Sequence, residues 1–525
     1  MAGTVAALFR LAGAGFVLAR EGAFAGIDPD ALPGRARLPL RLARLIERKR
    51  VDGEVEHLTR AINRLGPSYV KLGQFLATRP DIVGSEVADT LGRLRDEIEP
   101  FPEAEARATV EKALGKPGDA LFTTFSPPVA AASIAQVHKA EIATEDGPKA
   151  VAVKVLRPGI RQRFRRDLDT FYSGARVVER LDPASRRLRP VAVVDTLARS
   201  VTIEMDLRLE AAALSEMAEG TASDTGFRVP KVEWELTARD VLTLEWIDGI
   251  KLSDLDGLRA AGHDLPALAQ KLMQAFLRHA LRDGFFHADM HQGNLFVDDV
   301  GDIVAVDFGI MGRLTRAERR FLAEILFGFI RRDYRRVAEV HFEAGYVPAA
   351  RHSVDDFAQA LRAIGEPIHG QRARDISMAR LLSLLFEVTE LFDMQTRPEL
   401  LLVQKTMVVV EGVSRSLDPD FDMWSASEPV VADWVERFLG PAGQLELAAE
   451  VVGALGRLVG ELPRLAERAE RLSAEMDRVS ERGFRLDPET VAEIGRSEAH
   501  AARWGRVALW VIAAAVVVVG IRLVW

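Results

Sequence analysis

The chain has no cysteine among its 525 residues. That excludes disulfides, thiolate metal sites, iron–sulfur clusters and cysteine nucleophiles, and it fits a reducing compartment. Positive charge is outweighed as well. With 69 Lys and Arg against 77 Asp and Glu, the net charge is −8, which argues against nucleic acid as a partner. The 24 Pro and 40 Gly are spread out, without the period of a repeat array. No G-x-G-x-x-G follows a strand, so flavin or dinucleotide chemistry lacks its phosphate loop. What is present is globular: 48% hydrophobic and 28% charged residues, at a length that holds roughly two to four domains' worth of core.

The chemistry concentrates in Phe285-Phe286-His287-Ala288-Asp289-Met290-His291-Gln292-Gly293-Asn294, followed by Asp307-Phe308-Gly309. Asp289 and Asn294 have the spacing of a kinase catalytic loop, H-x-D-x-x-x-x-N. Leu295 to Val297 and Ile303 to Val306 read as a hairpin that returns Asp307 to Asn294. Hard oxygen ligands, few in number, suit a magnesium ion whose shell is completed by phosphates. A polar turn with capping Asp and Asn residues is the plain alternative, and the upstream half of the chain decides against it.

There, Phe122 to Phe125, Gln136 to Ile142 and Ala150 to Leu156 read as strands. The small residues Ala130, Ala131, Ala132, Ser133, Ile134, Ala135 and Gln136 would let main-chain N–H groups approach an anion. Alanine reaches positive φ less readily than glycine, so this loop should be stiffer and more helical than a glycine-rich one. Lys154 sits in the apolar run Val151-Ala152-Val153-Lys154-Val155, the pattern of the kinase strand whose Lys holds phosphates. A Lys buried there needs an anionic partner. One helix from about Val191 to Glu219 offers Glu204, Asp206 and Glu210, of which Glu210 is the expected partner. Residues 229–234 and 240–246 read as two further strands, making five antiparallel strands in all. The stretch Leu244-Glu245-Trp246-Ile247-Asp248-Gly249 resembles the hinge between kinase lobes, with Glu245 and Ile247 where backbone would meet adenine.

Further upstream, Gly66-Pro67 opens a helix that Pro80 closes. Lys71 and Gln74 share a face of it, and Gly73 and Ala77 would admit another backbone. After Gly309 the next helix begins near Thr315-Arg316, leaving no room for a long peptide-docking activation segment, and no A-P-E follows. Residues 1–27 lack a signal-peptide cleavage pattern. An amphipathic helix, lying on a membrane or packed on the domain, fits them better. At the other end, Val507 to Trp525 carries only Arg522 as a charge. Nineteen helical residues span roughly 28 Å, close to a bilayer core of about 30 Å. Arg503 and Arg506 then put the amino side in the cytoplasm.

Together these segments resemble the UbiB family of atypical kinase-like proteins of ubiquinone biosynthesis. The family's K-x-G-Q matches Lys71, Gly73 and Gln74. Its Ala-rich loop matches Ala130 to Gln136, and its strand Lys matches Lys154. Its E-x-D matches Glu204 and Asp206, and its helix Glu matches Glu210. Its loop Asp, metal Asn and D-F-G Asp match Asp289, Asn294 and Asp307. The family loop usually has Pro where this chain has Met290 and Gln292, a difference that touches the loop's rigidity and no ligand atom. The resemblance implies that the K-x-G-Q helix lies over the nucleotide site, with Lys71 meeting Glu204 or Asp206 in a regulatory contact. It implies restricted protein phosphorylation and ATP hydrolysis coupled to lipid or partner handling.

The expected architecture is therefore α+β: a protein-kinase-like bilobal fold with a helical N-terminal extension and a C-terminal transmembrane helix. Residues 1–50 form a membrane-proximal linker, 51–120 the extension, 121–249 the N-lobe, 250–440 the helical C-lobe, 441–503 amphipathic helices and 504–525 the span. ATP and Mg2+ are the expected cofactors, with Lys154, Glu210 and Asp289 in the catalytic apparatus and Asn294 and Asp307 on the metal. Membrane lipid, prenylphenol or quinone precursors, or quinone-biosynthesis enzymes are the expected partners, with no nucleic acid and a homodimer open. The expected location is a bacterial inner membrane. Two alternatives remain: an ATP-binding scaffold without turnover, and a 2-polyprenylphenol hydroxylase. The second would need His287, Asp289 and His291 to gather as metal ligands.

Overall fold

The computed structural model describes residues 2–23, 54–77, 79–92, 99–181, 189–369 and 398–440, with a few isolated positions between them. Residues 441–525, including the apolar run 507–525, lie outside the described residues. Among the described residues no helix is long and apolar enough to cross a membrane.

Helix α1 (Ala2–Arg20) is followed by α2 (Glu54–Leu65), α3 (Pro67–Ala77) and α4 (Ser85–Gly92), and α5 (Glu103–Leu114) leads into the sheet. Gly66 makes the turn between α2 and α3 at φ +97. A side chain there would be strained by that left-handed backbone. A Cβ would lie 2.1 Å from the guanidinium of Arg163, which donates to the Leu65 carbonyl at 3.0 Å. Val70 and Gly73 face inwards from α3 onto Ile62, Leu91 and Leu94. The close approach expected at Gly73 is thus made by the Leu94 side chain and not by another backbone; a Cβ on Gly73 would stand 2.5 Å from it. Helix α1 packs on α2 and on the long helix after the sheet, and Arg10 reaches Thr170 there at 2.9 Å.

The sheet consists of β1 (Thr124–Ala131), β2 (Ala135–Thr144), β3 (Gly147–Leu156) and, last in spatial order, β5 (Val241–Glu245), all antiparallel. Strand β1 runs six residues beyond the expected stretch despite Pro127 and Pro128. It is an edge strand, and its register shifts around Pro128, so the missing N–H groups cost no ladder bonds. Alternating residues Ala140, Val151, Val153, Val155 and Val241 bury one face against Ala106 and Val110 of α5 and against Phe122 and Phe125.

After β3 come α6 (Ile160–Leu181), α7 (Pro190–Glu204) and α8 (Leu207–Thr221). The single helix expected over 191–219 is therefore two. Asp206 breaks it: extended at φ −117, its side chain accepts the Arg208 N–H and caps α8. A capping Asp satisfies an otherwise orphaned N–H more cheaply than a mid-helix Asp would. The five-stranded sheet is also corrected to four. The stretch 229–234, expected as a strand, meets β5 only through an isolated antiparallel bridge, Val232 opposite Leu244, because the 3-10 turn Trp234–Leu236 follows at once. Just before it, Phe227–Arg228 forms β4, which pairs in parallel with a strand of the other lobe.

The helical lobe contains β6 (Gly249–Lys251), α9 (Leu255–Ala260) and α10 (Leu265–Arg278), then a π-helical turn His279–Asp283 and β7 (Phe285–His287). Next are β8 (Leu295–Asp298), β9 (Ile303–Ala305) and β10 (Met311–Arg313). Helices α11 (Arg316–Arg331), α12 (Tyr334–Glu343), α13 (Val354–His369), α14 (Pro398–Leu417) and α15 (Met423–Leu439) complete it. Helix α10 is buried along Leu268, Leu272, Met273, Phe276 and Leu277 and packs on α14. Only Ile310, Met311 to Arg313 and Leu314 separate Gly309 from Thr315, which opens α11 with a reciprocal capping box to Glu318.

Candidate active site

Lys154 alternates with Val153 and Val155 on β3, so its side chain leaves the face opposite the apolar core. Its Nζ lies 2.7 Å from Glu210 Oε1 and 3.0 Å from Oε2, and 3.5 Å from Asp307 Oδ2. The side chains of Lys154 and Glu210 are 15% and 7% exposed, whereas Asp307 keeps 45%, so one of the two acids still faces solvent. Burial works to lower the Lys154 pKa, but the charges of Asp307 and Glu210 outweigh it and hold the ammonium firmly protonated. Glu210 is pushed above the ordinary range by burial, against the pull of Lys154. Asp307 is also buried from one side. Lys154 and the Gly309 N–H, 3.0 Å from Oδ1, hold it well below the usual carboxylate range.

The register of β8 and β9, Leu295 opposite Ala305, puts Asn294 beside Val306, whose N–H donates to the Asn294 carbonyl at 3.0 Å. Asp307 is the next residue. Asn294 Nδ2 donates to the Asp289 carbonyl at 3.2 Å, which turns the amide so that its oxygen remains available as a ligand. The turn carrying Asp289 is held from below by His287. That ring is fully buried, edge-on to Phe308 at 5.0 Å, and its Nδ1 accepts the Asp289 N–H at 3.0 Å. Burial keeps His287 neutral, its pKa lowered. His287, Asp289 and His291 therefore do not converge: the first faces the core, and His291 Nε2 is 3.7 Å from Asp289. Among the described residues no group of three His, Cys, Asp or Glu side chains could hold a metal.

The Ala-rich segment is not helical. Ala130 and Ala131 end β1, Ala135 and Gln136 begin β2, and only Ala132-Ser133-Ile134 turn between them. Hairpin pairing decides this over alanine's helix propensity. The Ala132 N–H donates to the Ala135 carbonyl at 2.8 Å, and Arg157 clamps the Ala132 carbonyl through Nε and Nη2, each at 3.1 Å. Gln136, last of the expected phosphate-loop residues, has its side chain engaged elsewhere. Its buried amide is spent on the Phe101 backbone, accepting at 2.9 Å and donating at 3.2 Å. Ser133 is fully buried, and its Oγ has no hydrogen-bond partner among the described residues. At the β5 end, the Glu245 side chain pairs with Arg228 at 3.1 Å, and Ile247 is half-buried.

Lys71 of α3 meets Glu204, the last residue of α7, at 2.8 Å; both are nearly enclosed, 14% and 13% exposed. Asp206 does not take Lys71. Arg208 first, and then Arg239, hold it below its ordinary pKa. Gln74 lies one turn along α3, half-buried.

A cation fixed by a helix carboxylate, Asn294 and Asp307 at the two ends of a hairpin and an aspartate on the preceding turn stand in a kinase-like arrangement, and comparison with known proteins shows the family. The ABC1 atypical kinase-like domain matches residues 93–341 and the UbiB helical domain residues 361–422. A curated protein of Marinobacter nauticus, named "Probable protein kinase UbiB", is 39% identical over 419 residues, which are 79% of this chain and 76% of that protein. The chain belongs to the UbiB family. Its kinase-like α+β fold is shared with a solved structure from Mycobacterium tuberculosis, the Rv3197–erythromycin complex. That protein is 24% identical with a TM-score of 0.51, over 76% of this chain and 98% of that one.

Three contributors to this UbiB site carry no motif of their own: Arg157, which clamps the Ala132 carbonyl; Thr406, whose Oγ1 lies 3.2 Å from the Ala288 carbonyl while donating to the Leu402 carbonyl at 2.8 Å; and Ser416, which meets Gln292 at 2.6 Å. Arg157, one residue past the strand that carries Lys154, could have been read as a clamp. Thr406 and Ser416 lie more than a hundred positions from Ala288 and Gln292, and nothing local marks them.

Proposed function

We propose that this UbiB-family chain binds magnesium–ATP beside Lys154 and transfers its terminal phosphoryl group to water or a hydroxyl, in support of ubiquinone biosynthesis at a membrane. The observation that carries this is the convergence of Lys154 with Glu210 and Asp307 at 2.7 and 3.5 Å. The donor set fits a magnesium ion: Asn294 and Asp307 would offer it hard oxygens, and the phosphates would complete the shell. When bound, the ion would neutralise charge on the phosphoryl oxygens.

Lys154, held in place by Glu210, would pair with the α/β-phosphates. The Ala132-Ser133-Ile134 turn would bring backbone N–H groups and the unpartnered Ser133 hydroxyl to the same anion. Asp289, on a turn fixed by His287, would orient the attacking hydroxyl or water. Backbone at Glu245 and Ile247 would face the adenine. The short link from Gly309 to Thr315 and the α3 helix tied by Lys71–Glu204 leave little platform for a peptide, which favours a small or lipidic acceptor over protein. A single span at 504–525 would hold the kinase-like part at the cytoplasmic face of a bacterial inner membrane, with prenylphenol precursors, quinone-biosynthesis enzymes or a second copy as partners.

The test is binding and turnover of magnesium–ATP by the full chain, with and without anionic lipid and a quinone-like phenol. Lys154→Ala should lose binding, whereas Asp289→Asn should keep binding and lose turnover. Equal turnover in wild type and Asp289→Asn sinks the proposal. Binding without turnover in the wild type leaves an ATP-dependent scaffold.

A further inference from the structure

The turn from Asp289 to Asn294 carries the groups on which the proposed chemistry depends, yet its own bonds are short-range. His291 N–H donates to the Asp289 carbonyl at 2.9 Å, Asn294 N–H to the His291 carbonyl at 3.0 Å, and Gly293 N–H to His291 Nδ1 at 3.0 Å. The ends of the turn are placed by other elements: His287 Nδ1 accepts the Asp289 N–H, the Ala288 N–H donates to the Ile310 carbonyl and the Val306 N–H to the Asn294 carbonyl, each at 3.0 Å. Its middle is placed by one side-chain bond, and that bond comes from α14. Thr406 of the same helix spends its one hydroxyl proton chiefly on the Leu402 carbonyl at 2.8 Å and lies 3.2 Å from the carbonyl of Ala288, ahead of the turn. Gln292, in the middle of the turn, donates from Nε2 to Ser416 Oγ at 2.6 Å. That hydroxyl in turn donates to the Val413 carbonyl at 2.6 Å, so its donor is spent and its acceptor faces Gln292.

Helix α14 is a stiff mount. Ser414 donates to the Ala269 carbonyl at 3.2 Å, tying it to the buried helix α10. Glu411, 1% exposed, is paired with Arg415 at 2.8 Å within the helix. The mount lies in the UbiB helical domain, while the turn lies in the kinase-like domain.

We propose that Gln292 and Ser416 act as positioning residues for the metal-binding turn, so that the helical domain sets how well Asn294 is presented to a divalent cation. This rests on the magnesium–ATP reading of the site. It does not require either residue to touch nucleotide. Residue 292 starts a single 3-10 turn, and His291 before it is extended, at φ −81 and ψ 158. Both conditions suit proline, which fixes φ and favours an extended predecessor. A proline at 292 would therefore supply by local rigidity what the Ser416 bond supplies from a distance.

The experiment compares wild type, Gln292→Ala, Ser416→Ala, the double alanine variant, and Gln292→Pro with and without Ser416→Ala, all in the full chain. One readout is the magnesium concentration that half-saturates binding of a fluorescent ATP analogue, against the affinity for the analogue without metal. The other is amide hydrogen exchange of residues 289–294 without nucleotide. Loss of one neutral hydrogen bond should raise the magnesium requirement about three- to tenfold and leave metal-free affinity within about twofold. The double alanine variant should be no worse than either single one, because one interaction is lost. Gln292→Pro should restore Ser416→Ala in both readouts. Additive losses, an equal fall in metal-free affinity, or no rescue by proline overturns the inference. If the wild type binds no magnesium–ATP, the functional reading fails, and hydrogen exchange still decides the anchoring: exchange unchanged in Ser416→Ala refutes it.

Discussion

Replacing Lys154 with methionine removes the ammonium but keeps most of the side chain's volume. Glu210 would then be left 7% exposed, with one remaining donor, the Phe308 N–H at 3.4 Å. A stranded buried carboxylate costs about 3–5 kcal/mol. It can escape by taking a proton, which sets a ceiling on the cost. From an ordinary value of 4.5, protonation at pH 7 costs about 3.4 kcal/mol and at pH 5 about 0.7 kcal/mol, at about 1.36 kcal/mol per unit. The destabilisation should therefore be about 3 kcal/mol at neutral pH and shrink to about 1 kcal/mol at pH 5. The direction follows from linkage. Glu210 in the variant has a folded pKa above its unfolded one, so the native state holds the extra proton and stability falls as pH rises. Adding Glu210→Gln should recover most of the loss at pH 7, since an uncharged pair has no desolvation to repay. Asp307 makes a smaller contribution because it is 45% exposed and can be hydrated. Urea unfolding midpoints of the single and double variants at the two pH values measure all of this. A loss that is flat with pH, or a double variant no more stable than Lys154→Met, would show that the pair is not the enclosed ion pair described here.

Acid should destabilise the wild type. Asp224, held low by His279 and Arg282 against burial, and Asp307, held low by Lys154, both contribute stability above about pH 4 that is lost as pH falls below it; guanidinium midpoints from pH 6 to pH 3 would record the decline. Lys71→Met removes the partner of Glu204 across α3 and α7, and hydrogen exchange over residues 67–77 should rise about tenfold, with an unchanged rate counting against the contact. Gly312→Ala places a Cβ 2.1 to 2.6 Å from the buried ring of Phe286, so thermal unfolding should show a loss of about 1–3 kcal/mol.

Local pattern carried the reading furthest where local physics decides. The spacing from Asp289 to Asn294, the hairpin and Asp307 lie within about twenty residues, and backbone register alone brings them together. Lys154 stood out because a charge in an apolar strand demands a partner, and its acid sits on a neighbouring helix. Local signals misled where two of them competed. The helix expected over 191–219 is broken at Asp206, whose side chain caps α8 where the chain reads as continuous. Alanine's helix propensity lost to the β1–β2 ladder, and the run 229–234, read as a strand, keeps only a one-residue bridge to β5 before a 3-10 turn. Strand β1 runs past the expected Phe125 through Pro127 and Pro128, which its place at the sheet edge makes harmless.

Motif spacing, with the family resemblance it carries, thus pointed to the class of fold and to the charged groups of the site, because the loop, hairpin and strand that bear them are each set by interactions between near neighbours in the chain. Only the folded chain decided that Lys71 takes Glu204 and leaves Asp206 to Arg208, that Gln136 serves the Phe101 backbone, and that Ser416 reaches Gln292 across 124 positions. These pairings join side chains that can bond to several partners. Which one each takes is set by the few ångströms of placement that distant helices impose, and no local pattern records that distance.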